Sequence, residues 1–250
     1  MLTGEREIYG NARVTEAVID IRCVNRTNLV LRDVNILSKQ LGDDALRQLG
    51  DDITRTELVE VTEELDPDGT QRTTRKPVGY GFKVGNQVVQ ARLNGLAVSR
   101  LHPYGKWELF LDQTRSTWRE YCGIAGPLTI TRLGVRYINS LPIGDPGIDD
   151  LARFLKLRPV TPWGLLSPPA AFFLQIRQPS DNGSVLVVNE ATIIDASSGK
   201  ASILLDLDAS REERFAYNED QMWNLLEDLH VQLRDAFEKA IDEPVREILR

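Results

Sequence analysis

Residues Leu128–Asn139 read LTITRLGVRYIN, and the alternation within them decides how the rest of the chain is arranged. Leu133, Val135 and Tyr137 recur at the period of two that puts side chains on one face of a strand, which sends Arg132, Gly134 and Arg136 to the other. The first set suits a core. Two arginines on the opposite face leave two readings open: they pair with carboxylates of the same fold, or they bind an anion from outside. The carboxylates are present in VTEAVIDIRCV (Val14–Val24), where Ala17, Ile19, Ile21 and Cys23 alternate with Glu16, Val18, Asp20 and Arg22. If these two strands lie side by side, Glu16 and Asp20 meet Arg132 and Arg136.

Working outward, LRDVNILSKQLGDDALRQLGDD (Leu31–Asp52) spaces Leu31, Val34, Leu37 and Leu41 as a helix, with Gly42 expected to end it. TRTELVEVTEEL (Thr54–Leu65) reads as a strand and DPDG (Asp66–Gly69) as the turn of a hairpin, since proline presets one turn torsion and glycine accepts a left-handed one. VGYGFKV (Val78–Val84), VVQARLNGLAVSRL (Val88–Leu101) and KWELFLD (Lys106–Asp112) read as an antiparallel meander, and STWREYCGIAG (Ser116–Gly126) as a short helix stopped by glycine. The first half is then β-α-β-β-β-β-α.

The second half repeats that order. After LTITRLGVRYIN come a helix, GIDDLARFLKL (Gly147–Leu157), three strands, AFFLQIRQ (Ala171–Gln178), SVLVVNEATIID (Ser184–Asp195) and ASILLDLD (Ala201–Asp208), and a final helix from Asn218. In that helix Met222, Leu225, Leu226, Leu229, Leu233, Ala236, Phe237 and Ala240 form an apolar stripe, with Asn218 as N-cap and Glu219 and Asp220 in the first turn. The expectation is an α+β protein of two tandem, pseudo-duplicated β-α-β(3-4)-α units, residues 1–126 and 127–250, joined in one compact body. A continuous antiparallel sheet would carry the long helices on one face, as in TATA-binding-protein-like or helix-grip-like folds.

The 250 residues, 42% of them hydrophobic, suffice for a sizeable core. No apolar run is long enough for a membrane span, and the N-terminus MLTGEREIYG carries charges where an export signal needs apolar residues. A cytoplasmic protein with no membrane attachment and free thiols at Cys23 and Cys122 is expected. The net charge of −7 is banded. Residues 33–68 hold eleven acids and three bases, residues 72–136 eleven bases and three acids, and residues 206–250 thirteen acids and six bases. Either the bands neutralise one another on folding, or the basic one forms an anion-binding face.

SRLHPYGKW (Ser99–Trp107) brings Arg100, His102, Tyr104, Lys106 and Trp107 into one loop and its flanks. Rings among cations suit a nucleotide or a single-stranded nucleic acid, while the alternative is a hairpin with Tyr104 and Trp107 packed beneath it. Catalytic signals are sparse. His102 and His230 are the only histidines, and the Cys and His residues have no metal-ligand spacing, so no metal and no cofactor are expected. GYGF (Gly79–Phe82) lacks the helix a phosphate-binding glycine loop requires, and ELVEVTEEL (Glu57–Leu65) reads as a solvated edge strand.

TEAVIDIR (Thr15–Arg22), VSRLHPYGKWELF (Val98–Phe110), TWREY (Thr117–Tyr121) and RLGVRYIN (Arg132–Asn139), in this order and with the C-terminal amphipathic helix, resemble a sporadically distributed family of uncharacterised bacterial proteins of about 250 residues. Where that family has a proline-containing approach to the first strand, this chain has GNARVTEA (Gly10–Ala17). The resemblance implies no activity. The family's patchy distribution is that of genes carried with mobile elements, defence loci or toxin–antitoxin pairs. The sequence thus points to a binding or regulatory protein that meets a protein partner or an anionic ligand through its arginine-bearing sheet face. Its candidate residues are Glu16, Asp20, Arg100, His102, Tyr104, Trp107, Arg132 and Arg136. The alternative is a nucleotide- or RNA-processing enzyme in which the arginines hold phosphate and Glu16 or Asp20 is the base. Duplex DNA, which the net negative charge repels, is not an expected partner.

Overall fold

The structure, a computed structural model, describes residues 13–26, 28–65, 71–144, 155–156, 171–194 and 201–250. Along the chain run β1 (Val14–Asn25), α1 (Leu31–Leu49), β2 (Ile53–Leu65), β3 (Gln71–Val84), β4 (Gln87–Arg92), β5 (Gly95–Leu101), α2 (Trp107–Ala125) and β6 (Pro127–Gly144). They are followed by β7 (Phe173–Pro179), β8 (Val185–Ile194), β9 (Ala201–Arg211), β10 (Phe215–Ala216), α3 (Glu219–Ala240) and α4 (Glu243–Leu249). The protein is α+β, with a large open antiparallel sheet in the order β2-β3-β4-β5-β1-β6-β9-β8-β7, and β10 pairing with β6. The first half has the expected element order. No helix among the described residues is long and apolar enough to cross a membrane.

The chain divides into two compact units. The first comprises Ala17–Gly134 and Arg211–Leu225. In it α1 packs on β3 and β4, and α2 packs on β5 and α1. Ala17, Ile19, Ile21 and Cys23 of β1 are buried, as their alternation requires, together with Phe82, Val89, Ala91, Leu96 and Val98 of the neighbouring strands. Burying these side chains is the main stabilising term, at about 1.5–3 kcal/mol for each large one. Asn218 caps α3, its Oδ1 accepting from the Gln221 N–H at 2.9 Å.

The second unit takes in the described residues of Met1–Glu16, Val135–Ser210 and Leu226–Arg250. Val135, Tyr137 and Leu141 of β6, Ile203, Leu205 and Leu207 of β9, and Leu226, Leu229 and Leu233 of α3 are among its buried apolar residues, with Val245 and Leu249 of α4. Tyr137 is buried with its hydroxyl 2.9 Å from Nδ1 of His230, so the phenol's polar end is satisfied inside the core.

Three local readings of the sequence are corrected. α1 runs through Gly42 and stops at Gly50, which adopts φ 72° and donates to the Leu46 carbonyl. Gly42 is a packing residue instead: a Cβ there would come within 2.8 Å of Ile53 Cδ1. KWELFLD is not a strand. Trp107, Phe110, Leu111, Thr114, Trp118, Tyr121 and Ala125 make one buried helical stripe, so the short expected helix starts nine residues earlier, at Trp107. VVQARLNGLAVSRL is two strands, paired Arg92↔Gly95 through Gln87↔Arg100, with the turn at Leu93 and Asn94. Gly95 is no bulge. It lies against β1, where a Cβ would meet the Ile21 carbonyl oxygen at 2.1 Å. DPDG and most of GIDDLARFLKL fall outside the described residues, although Leu65↔Gln71 closes the β2–β3 ladder that DPDG was expected to join. Leu155 forms an isolated bridge with Ile241.

Candidate anion site on the sheet

The β4–β5 hairpin decides the faces of two arginines. Cross-strand partners share a face, so Arg100 belongs with Leu96, Val98, Val89 and Ala91, while Arg92 belongs with Gln90 and Ala97 on the opposite side. Arg100 therefore faces α2, where its guanidinium bonds Gln113 and Asn86. Burial holds it below the usual arginine value. Arg92 faces away from the helices.

On that side of the first unit Arg92 meets Asp20. The Asp20 carboxylate accepts from three arginines: Arg92 Nη1 at 3.1 Å, Arg22 Nε at 3.0 Å and Arg132 Nη1 at 2.7 Å. Arg22 also donates to Asn94 and Arg92 to Gln90. Gly134 keeps the ground open, since a Cβ there would come within 2.6 Å of Arg132 Nη1. A second carboxylate, the exposed Glu212, stands 3.8 Å from Arg132 Nε. Arg92 is held below the usual arginine value by burial first and the positive charge of Arg22 second, with Asp20 acting the other way. Three guanidiniums carry far more N–H donors than one carboxylate accepts, and their planar forks match oxyanions.

In the second unit the arginine is neutralised. Arg136 Nε and Nη2 grip Asp206 in a two-pronged pair at 2.7 Å each, and Asn189 Nδ2 donates to the same carboxylate at 3.0 Å. The bond to Asp206 raises the Arg136 value further. Glu16 contributes only its field at Arg136, and the carboxylate that meets this arginine lies seventy residues along the chain.

The remaining expected residues gather elsewhere. His102 is exposed, Tyr104 packs edge-on to Phe110 at 5.9 Å, and Trp107 is buried at the start of α2 beside the same Phe110. The structure thus unites Asp20 with Arg132 and adds Arg22 and Arg92, which the sequence reading had not selected. Both stood in period-two register with polar neighbours, but only the Leu93–Asn94 turn reveals the face of Arg92.

SVLVVNEATIID also holds a buried carboxylate. Glu190 of β8 is fully buried, paired across the ladder with Leu205 and Leu174, and neither of its oxygens has a hydrogen-bond partner. Burial pushes its carboxyl up to about 7. The thiols are chemically quiet: burial pushes Cys23 up to about 12 and Cys122 up to about 11, and neither forms a disulfide. Among the described residues no cluster of His, Cys, Asp and Glu has the arrangement to hold a metal ion. No protein-family model matches the chain, and no curated protein matches it.

Proposed function

We propose that the chain is a binding protein that engages an anionic group of its partner, a carboxylate or a phosphate, at Arg22, Arg92 and Arg132. One observation carries this reading: three arginines converge on the single carboxylate of Asp20, on a sheet face turned away from the helices. An enzyme of the nucleotide- or RNA-processing kind needs a carboxylate beside the arginines that is free to take a proton. Both Asp20 oxygens are instead engaged by guanidiniums, Oδ1 by Arg92 and Oδ2 by Arg22 and Arg132. A protein partner is favoured over duplex DNA by the net charge of −7.

Membership of the sporadic bacterial family, a cytoplasmic location and an accessory or antitoxin-like role in a mobile-element or defence locus are part of the same proposal. So is descent by tandem duplication. The strand order supports it: reading outward, β1 is followed by β5, β4 and β3, and β6 by β9, β8 and β7, so each half sets its last long strand beside its first.

Calorimetric titration of the full chain at low salt with pyrophosphate, and separately with a polyglutamate peptide, tests the site. Binding of either, weakened about tenfold or more by Arg92→Ala and untouched by Arg136→Ala, is the expected result. Absence of binding to both, or binding indifferent to Arg92→Ala, would overturn it.

A further inference from the structure

The β2–β3 hairpin outruns its sheet. β4 pairs with β3 only from Gly79 to Val84, whereas the β2–β3 ladder continues to Leu65↔Gln71. Residues Val59–Leu65 and Gln71–Pro77 therefore form a ribbon that is two-stranded among the described residues, offset from the sheet by a register shift at Leu58/Val59. Such ribbons are marginal in water unless one face is covered.

Its two faces differ. One sets Glu60 opposite Lys76, Thr62 opposite Thr74 and Glu64 opposite Arg72, so acids and bases balance across the ladder on a solvated surface. The other carries Val59 with Pro77, Val61 with Arg75, Glu63 with Thr73, and Leu65 with Gln71. Val59, Val61 and Leu65 are 46%, 52% and 76% exposed. Three exposed aliphatic side chains on one face of a ribbon that pairs with no further strand among the described residues mark a contact surface.

We infer that this face binds the same face of a second copy of the chain. The charges argue for a copy over an unrelated partner. The face holds one acid and one base, Glu63 and Arg75, so it offers neither sign in excess for an oppositely charged partner. A twofold axis between the Val61 and Glu63 rungs lays Leu65 of each copy over Val59 of the other and sets each Glu63 diagonal to the second copy's Arg75. The surface is then self-complementary, as an isologous dimer requires. Edge-to-edge pairing of two β2 strands is disfavoured, because Glu57, Glu60, Glu63 and Glu64 would line both sides of the junction.

Sedimentation velocity of the full chain over a wide concentration range tests the inference. A reversible dimer of the 28.2 kDa chain is expected. Val61→Asp should raise its dissociation constant about a hundredfold while leaving the circular dichroism and melting temperature near wild type, because Val61 is half exposed. Glu63→Arg and Arg75→Glu should each weaken the dimer, and the double exchange should restore it. A wild type that stays monomeric throughout overturns the inference and leaves the face to a different protein. A dimer indifferent to Val61→Asp, or single charge reversals that the double exchange does not repair, overturns it equally.

Discussion

Asp20 in the first unit and Asp206 in the second are both aspartates meeting β6 arginines four residues apart, yet they do different work. Asp206 has one arginine and one asparagine amide, and the pair closes on itself. Asp20 has three arginines, and no arrangement of its two oxygens neutralises them. The ratio of cation to carboxylate, rather than the presence of arginine, separates a structural pair from a binding site. Glu190, buried with no hydrogen-bond partner, is the opposite extreme.

The sharpest way to break the comparison is to remove the hub. Asp20→Asn keeps the shape but leaves three guanidiniums facing one another. Stability measured by urea denaturation at low salt should fall by about 3 kcal/mol, the lower end of the range for breaking buried pairs, because the arginines are part-exposed. Inorganic phosphate should return much of that loss by standing in for the carboxylate. If phosphate returns none, the cluster is not an anion site.

Glu190 tests the other extreme through pH. Its folded value is raised from the ordinary 4.5 to about 7, so below about pH 4.5 the group is protonated in both folded and unfolded chains and costs nothing extra. Between about pH 4.5 and 7 the folded state keeps a proton the unfolded chain has released, above about 7 it buries a charge, and stability falls by about 3 kcal/mol across that window. Glu190→Gln should thus be more stable than wild type at pH 8 by about that amount and nearly equal to it at pH 4. Equal stabilities at both pH values would mean that Glu190 finds a partner.

The contrast between these sites was only partly visible in the sequence. Period-two alternation found the buried faces of β1 and β6, placed Tyr137 inside, and turned Arg132, Arg136 and Asp20 outward, because strand geometry links neighbours rigidly. Helical spacing found α1 and α3. The stretch from Trp107 to Leu111 misled, since aromatic and aliphatic residues in a short run satisfy strand and helix alike, and only its continuation through Thr114, Trp118 and Tyr121 settles the period. The faces of Arg92 and Arg100 depend on a two-residue turn inside a run that reads as one strand. Pairings such as Arg136 with Asp206, or the isolation of Glu190 on the buried side of β8, arise from strands brought together over long separations. Local pattern carries no information about them.

The direct measurement is the thermal shift that inorganic phosphate produces in wild type, Arg136→Ala and Arg92→Ala, run side by side at low salt. Arg136→Ala strands Asp206 with only Asn189, and should begin lower by about 2 kcal/mol, less than a fully buried pair because the Arg136 guanidinium is half exposed. It should nevertheless gain as much from phosphate as wild type does. Arg92→Ala should begin near wild type, since it relieves crowding among like charges, and should gain almost nothing from phosphate. A phosphate shift lost in Arg136→Ala but kept in Arg92→Ala would contradict the assignment of structural and binding roles.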